Sequence, residues 1–178
     1  MSHLADEAYL KESFRALTHP EQLALWAIRM WVRAYRTEDR EAAEAIRHGL
    51  ILSDVPDGTD AALDRFMTVL AVSTQVSIDI RCPNCKSVSP DEHRLMGALA
   101  AMQQTGRHDP AILPMAPDRY LSVWLPPAAI RLSRAPLQAL AHAFDEAELR
   151  LRPRSWVLQS AAVGEAIEGR SATVHTIH

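Results

Sequence analysis

The chain has 178 residues, of which 48% are hydrophobic and 23% are charged, and this balance excludes an intrinsically disordered protein. Its length suits one domain with a core large enough to fold without a disulfide framework. The net charge of −3 argues against a strongly basic nucleic-acid-binding protein.

Residue usage indicates the type of genome and the expected cellular compartment. The 28 alanines favour helix, and 17 of the 19 basic residues are Arg, a bias that indicates a GC-rich bacterial genome. The first residues mix Asp6, Glu7 and Lys11 into their apolar positions, so we expect no signal peptide. No apolar run reaches the roughly 20 residues that a membrane helix needs. We therefore expect a cytoplasmic protein that does not contact a membrane.

Hydrophobic periodicity predicts four helices in the first half of the chain, the first over residues 4–17. Residues 20–35 are apolar almost all round and predict the central core helix, with a polar stripe formed by Arg29, Arg33 and Arg36. A third helix opens at residues 37–39, and Gly49 closes it as a left-handed terminating residue. A turn over residues 56–58 precedes a fourth helix that extends to about residue 73.

The second half of the chain carries the sharpest helix boundary. Ser89-Pro90-Asp91-Glu92 combines an N-cap, a Pro at the first helical position and a Glu at the third, so it predicts a capping box and a helix to about residue 105. Residues 120–125 are compatible with either strand or helix. Pro126-Pro127 starts a later helix, in which Pro136 either makes a kink or begins a further helix.

Two segments change to the alternating pattern of strands. Val76, Ile78 and Ile80 alternate with polar residues over 75–81, and residues 156–158 are a second short apolar run. The sequence thus predicts a mainly α fold of six to eight helices, with a small two- or three-stranded β element next to the Cys82/Cys85 loop. We expect one helical domain over residues 1–160 and a mobile C-terminal tail over residues 161–178.

The most specific motif is Cys82-Pro83-Asn84-Cys85. Two thiolates at this spacing can hold one tetrahedral zinc ion, because the intervening turn aims both sulfurs at the same point. The chain has no second Cys pair, so the other ligands must come from elsewhere. His93 is the nearest candidate, since the capping box places it in the first helical turn with its side chain directed back toward the Cys loop. We therefore predict zinc at Cys82, Cys85 and His93.

Other sources remain for the third and fourth ligands. His175 and His178 form an H-x-x-H pair, and His48 is a further option that spacing does not exclude. A second chain could also supply its own Cys pair in a four-Cys dimer site.

The Cys pair also has readings without a metal. It could perform thiol–disulfide redox chemistry, or the two thiols could be inert residues of a turn. Redox activity is favoured when the first Cys begins a helix, whereas here the predicted helix begins seven residues after Cys82.

A third hypothesis concerns Arg150, Arg152 and Arg154, which would project from one side of an extended strand. Such a row could follow a nucleic-acid backbone, although a charged edge strand that resists aggregation is the simpler interpretation.

The leading prediction is a non-catalytic, zinc-stabilised helical protein that acts through a protein partner or as a homodimer. The alternatives are a thiol-based redox or metal-dependent enzyme using Cys82 and Cys85, and a regulator that contacts nucleic acid through the three arginines. No phosphate loop, nucleophile elbow, H-E-x-x-H or dinucleotide fingerprint is present, so the motifs give no ground for asserting catalysis.

Overall fold

A computed structural model describes residues 12–105 and 116–154. A 3₁₀ turn at Phe14–Ala16 is followed by α1 His19–Thr37, α2 Arg40–Ile51, α3 Thr59–Ser73, α4 Pro90–Thr105, α5 Asp118–Leu121 and α6 Pro127–Glu146. The mainly helical prediction is confirmed, but the described part of the helix predicted over residues 4–17 forms only this 3₁₀ turn. The expected boundary between a domain of residues 1–160 and a tail of 161–178 lies outside the described residues.

One continuous core joins these helices. Helix α6 packs against α3 and α4, α1 packs against α2, and α5 closes over α4. The predicted core helix corresponds to α1, which is buried mainly between Glu21 and Trp31 and largely exposed from Arg33 onward. Pro136 lies inside α6 and does not begin a separate helix. Within the described part of the chain, no helix is both long enough and apolar enough to cross a membrane.

The predicted β element is wrong for the described residues. Residues 75–81 contain a bend and no strand, residues 150–154 form no strand either, and the run at 156–158 lies outside the described residues. Two backbone amides of residues 75–81 bond to carboxylates at the start of α4. The amide of Asp79 donates to Asp91 Oδ2 at 2.8 Å, and that of Arg81 donates to Glu92 Oε1 at 2.9 Å. The alternation therefore belongs to an irregular segment whose Ile78 and Ile80 pack against the core.

Gly49 does not end its helix as the sequence predicted. Helix α2 continues to Ile51. The close approach of Trp26 is the reason for a glycine at position 49. A Cβ at residue 49 would lie 2.5 Å from Trp26 Cη2. Gly49 thus provides space for the indole of Trp26, and its backbone is not left-handed.

Gly97 likewise provides space for an aromatic ring, at the contact between α4 and α5. A Cβ at this position would lie 2.5 Å from Cε1 of Tyr120, whose side chain is fully buried. Alanine normally gains about 1 kcal/mol over glycine within a helix. We nevertheless expect Gly97→Ala to lower the free energy of unfolding by about 1–3 kcal/mol, because the buried ring has no room to move.

Urea unfolding of Gly97→Ala and Gly49→Ala tests this expectation. The Gly49 variant is the matched control, since its clash is with a half-buried indole that can turn toward solvent. We expect the smaller loss there. A Gly97→Ala protein that is as stable as the wild type would contradict the packing argument.

Candidate functional site

The two cysteines are joined in a disulfide, and their loop lies at the protein surface. Cys82 and Cys85 have Cα atoms 5.2 Å apart, and the amide of Cys85 donates to the carbonyl of Cys82 at 3.0 Å, which closes the turn. Cys82 is exposed, whereas Cys85 is half-buried. The loop therefore presents one sulfur-bearing residue to solvent and holds the other closer to the protein.

A buried arginine holds this loop from below. Arg29, which the sequence places in the polar stripe of α1, has a fully buried side chain. Its Nη1 donates to the carbonyl of Cys85 and its Nη2 to the carbonyl of Ser87, each at 2.7 Å. One guanidinium thus fixes two alternate carbonyls of the segment that follows the disulfide.

Glu92 neutralises Arg29 and holds both ends of the loop. Its carboxylate accepts from Arg29 Nε at 2.7 Å and from Arg29 Nη2 at 2.8 Å, and both side chains are fully buried. It also accepts from the amides of Arg81 and Ser89, at 2.9 and 2.8 Å. The amide of Glu92 in turn donates to Ser89 Oγ at 3.0 Å. The predicted capping box is confirmed, and its Glu has a second function as the counter-ion of Arg29.

The other edge of the loop meets the N-terminal segment Glu12–Phe14. The amide of Phe14 donates to the carbonyl of Lys86 at 2.6 Å, and the amide of Val88 donates to the carbonyl of Glu12 at 3.3 Å. The ring of Phe14 lies 5.4 Å from the guanidinium carbon of Arg29. Residues 85–88 therefore bond to Arg29 along one edge and to the N-terminal segment along the other.

A second cluster of charged side chains, in which Arg152 is exposed, lies where the N-terminal segment meets residues 152–154. Glu21 is fully buried and accepts from Arg152 Nη2 at 2.6 Å and from Arg154 Nη2 at 2.8 Å. Glu12 binds the same two guanidiniums at 3.0 and 3.2 Å. Burial by itself would raise the pKa of Glu21, but its bonds to Arg152 and the Thr18 amide, with the charge of Arg154, lower that pKa from 4.5 to about 2.

This lowered pKa predicts how stability depends on acid. A carboxyl whose pKa is lowered in the folded state contributes its full stability above pH 4.5 and loses it as the pH falls toward 2. A shift of this size corresponds to about 3 kcal/mol. We expect Glu21→Gln to be less stable than the wild type at neutral pH and to approach it near pH 2, because glutamine resembles the protonated acid.

Urea unfolding between about pH 6 and pH 2 measures the effect. Glu41→Gln, at an exposed position on α2, is the matched control and should follow the wild-type curve throughout. A constant difference between Glu21→Gln and wild type across this range would show that Glu21 ionisation does not stabilise the fold.

The zinc prediction is wrong. The Sγ atoms of Cys82 and Cys85 are bonded to each other, so they are not the thiolates that a zinc site needs. In residues 12–105 and 116–154, no group of three or more His, Cys, Asp or Glu side chains could hold a metal ion.

His93 lies in the first turn of α4, as the capping box predicts, but it contacts the second charge cluster. Its Nδ1 is 2.7 Å from Arg154 Nη1 and 3.9 Å from Glu12 Oε2. Since a guanidinium only donates, Nδ1 accepts this hydrogen bond. The other proposed ligands do not complete a site either: His48 is exposed on α2, while His175 and His178 lie outside the described residues.

The three arginines do not form a solvent-facing row. Arg150 is exposed, but Arg154 is only 3% exposed, and both Arg152 and Arg154 bond to Glu12 and Glu21. Carboxylates of the same chain thus already occupy two of the guanidiniums. The nucleic-acid hypothesis loses the geometry on which it depended.

Sequence reasoning missed the residues that organise this site, namely Arg29, Glu92 and Glu21. Glu21 and Glu92 were visible, each as the third residue of a helix that has proline in its first turn. Their long-range partners were not visible, because Arg29 is 63 residues from Glu92 and Arg152 is 131 residues from Glu21. Comparison of the chain with protein-family models, with curated proteins and with solved structures found no match.

Proposed function

We propose that this protein is a thiol–disulfide redox protein whose Cys82–Cys85 bond is reversibly reduced. The observation that carries the proposal is an exposed C-x-x-C disulfide in a loop that a buried ion pair holds independently of the bond. Arg29 and Glu92 bind the backbone of residues 81, 85, 87 and 89, and none of these contacts requires the sulfurs to be joined. The reduced thiols would therefore stay close enough to form the disulfide again.

The size of the disulfide ring also favours a redox role over a structural one. A cross-link stabilises a fold mainly by closing a loop in the unfolded chain, and its effect grows with loop length. The separation here is three residues, so the expected gain is only about 2 kcal/mol. The helical core supplies its own burial, and Cys82 remains exposed to an attacking thiolate.

The proposed reaction is exchange with a low-molecular-mass thiol. Its thiolate attacks Sγ of Cys82, the Cys82–Cys85 bond breaks, and Cys85 leaves as a thiolate that takes a proton from water. A second thiolate attacks the mixed disulfide and releases Cys82. Two thiols become one disulfide, and the protein gains two electrons and two protons.

We propose a cytoplasmic location together with this function. The pair would exchange electrons with the cytoplasmic thiol pool, and oxidising stress would increase the fraction that carries the disulfide. The protein partner or homodimer expected from the sequence stays a prediction.

Equilibration in mixtures of reduced and oxidised glutathione tests the proposal. Free thiols are alkylated and the disulfide fraction is read by intact mass. We expect a reversible two-electron transition with a midpoint between about −220 and −300 mV. A pair that stays oxidised in the most reducing mixture, or that does not form its disulfide again, would contradict a redox role.

Single-cysteine variants test which sulfur reacts. Cys85→Ser leaves the exposed Cys82, whereas Cys82→Ser leaves the half-buried Cys85 and is the matched control. With oxidised glutathione we expect Cys85→Ser to form a mixed disulfide at least several-fold faster. Equal rates would show that exposure does not distinguish the two sulfurs.

A further inference from the structure

We infer that the oxidation state of Cys82–Cys85 controls how firmly the N-terminal segment Glu12–Phe14 is seated on the protein. This inference rests on the proposed redox function and gives that function a structural output. Reduction would loosen the seam between this segment and residues 86–88, and oxidation would tighten it.

The seam begins directly at the disulfide. The carbonyl of Lys86, the residue after Cys85, accepts the amide of Phe14 at 2.6 Å. Two residues further, the amide of Val88 donates to the carbonyl of Glu12 at 3.3 Å, and Ser13 and Ser87 form an antiparallel bridge. The disulfide therefore constrains the end of the segment that receives Glu12–Phe14.

Successive carbonyls of residues 85–87 face different partners. The carbonyls of Cys85 and Ser87 face Arg29, so the carbonyl of Lys86 between them is available to Phe14. Arg29 holds the carbonyls of Cys85 and Ser87 in both redox states, and the closed disulfide ring adds a second restraint on the backbone of Cys85, next to Lys86. Reduction removes this second restraint, so the backbone on either side of the Arg29 contacts samples more conformations, and only some of them present the Lys86 carbonyl to Phe14. The equilibrium constant for seating Glu12–Phe14 then falls in proportion to the population of the conformation that can accept the Phe14 amide.

Both ends of the affected segment are fixed by other contacts. Glu12 binds Arg152 and Arg154, and Leu17 is buried in the core. Reduction is therefore expected to open the 3₁₀ turn Phe14–Ala16 locally, while the rest of the fold stays intact. Arg15, an exposed residue in that turn, is a natural site for measuring the opening.

The coupling must act in both directions. If the disulfide favours seating of the segment by some factor, then seating favours the disulfide by the same factor. Removing the Phe14 amide should thus make Cys82–Cys85 easier to reduce. Phe14→Pro removes this donor at a position that accepts proline, because Ser13 is extended with ψ 152° and Phe14 begins the turn. Phe14→Ala keeps the donor and removes the same ring, so it is the matched control.

The first experiment is limited trypsin digestion of the full chain without reductant. Oxidised wild type is compared with Cys82→Ser/Cys85→Ser, which cannot form the disulfide. Cleavage after Arg15 is followed by mass and should be about five-fold or more faster in the double variant, because local opening exposes the turn. Cleavage after Arg131, exposed on α6, reports global unfolding and should not change. Equal rates at Arg15, or equal acceleration at both sites, would overturn the inference.

The second experiment measures the glutathione equilibrium of the two Phe14 variants. We expect Phe14→Pro to shift the equilibrium toward the dithiol several-fold relative to Phe14→Ala; identical equilibria would overturn the coupling. The outcomes separate the two proposals. A wild-type pair that titrates reversibly with no change at Arg15 leaves the redox function standing and removes the coupling. A pair that never titrates removes the redox function, while the digestion still decides whether the bond holds the segment.

Discussion

Replacing Arg29 by alanine is expected to lower the free energy of unfolding by about 3–5 kcal/mol, as when one partner of a buried ion pair is removed. Glu92 would remain fully buried with its negative charge uncompensated. The carbonyls of Cys85 and Ser87 would also lose their guanidinium donors. Urea unfolding at pH 7 measures the loss directly.

Arg33→Ala is the matched control on the same helix. The Arg33 side chain is 53% exposed and pairs with Asp39, and such surface pairs contribute at most about 1 kcal/mol. A second variant, Arg29→Met/Glu92→Gln, removes both buried charges and should recover part of the stability that Arg29→Ala loses. An Arg29→Ala protein no less stable than Arg33→Ala would show that the buried pair does not hold the loop.

Replacing Trp31 by alanine is also expected to cost about 3–5 kcal/mol, the usual range for deleting a large core aromatic side chain. Trp31 is only 7% exposed, its Nε1 donates to Asp64 Oδ1 at 2.8 Å, and its ring stacks on Tyr35 with centroids 4.8 Å apart. Clefts of about 280 and 220 Å³ are both lined by Trp31. Its deletion would remove a wall that these two clefts share.

Trp31→Phe separates packing from hydrogen bonding. Phenylalanine keeps most of the buried volume and loses the bond to Asp64, so we expect a loss of about 1 kcal/mol together with some repacking cost. Urea midpoints of the two variants give the comparison. A Trp31→Ala protein with a wild-type midpoint would contradict the assignment of Trp31 to the core.

The beginnings of α1, α4 and α6 follow from the sequence by itself. Pro20, the capping box at Ser89 and Pro127 each mark a helix start to within one residue of the structure. These signals are local, because a cap or a proline acts on the backbone of the same turn. The dense apolar pattern of α1 likewise marks a helix that contributes to the core. Local physics of this kind does not depend on how the helices are arranged.

Only the tertiary structure decided what the polar residues do. Arg29 reads as part of a surface stripe until Glu92 is brought to it from 63 residues away. The strand pattern over residues 75–81 fails because carboxylates at the start of α4 take its amide donors. The state of Cys82 and Cys85 depends in the same way on which ligands come near, and no third ligand joins them among the described residues. A buried charge or donor takes its role from the partner that packing supplies, and one sequence does not reveal that partner.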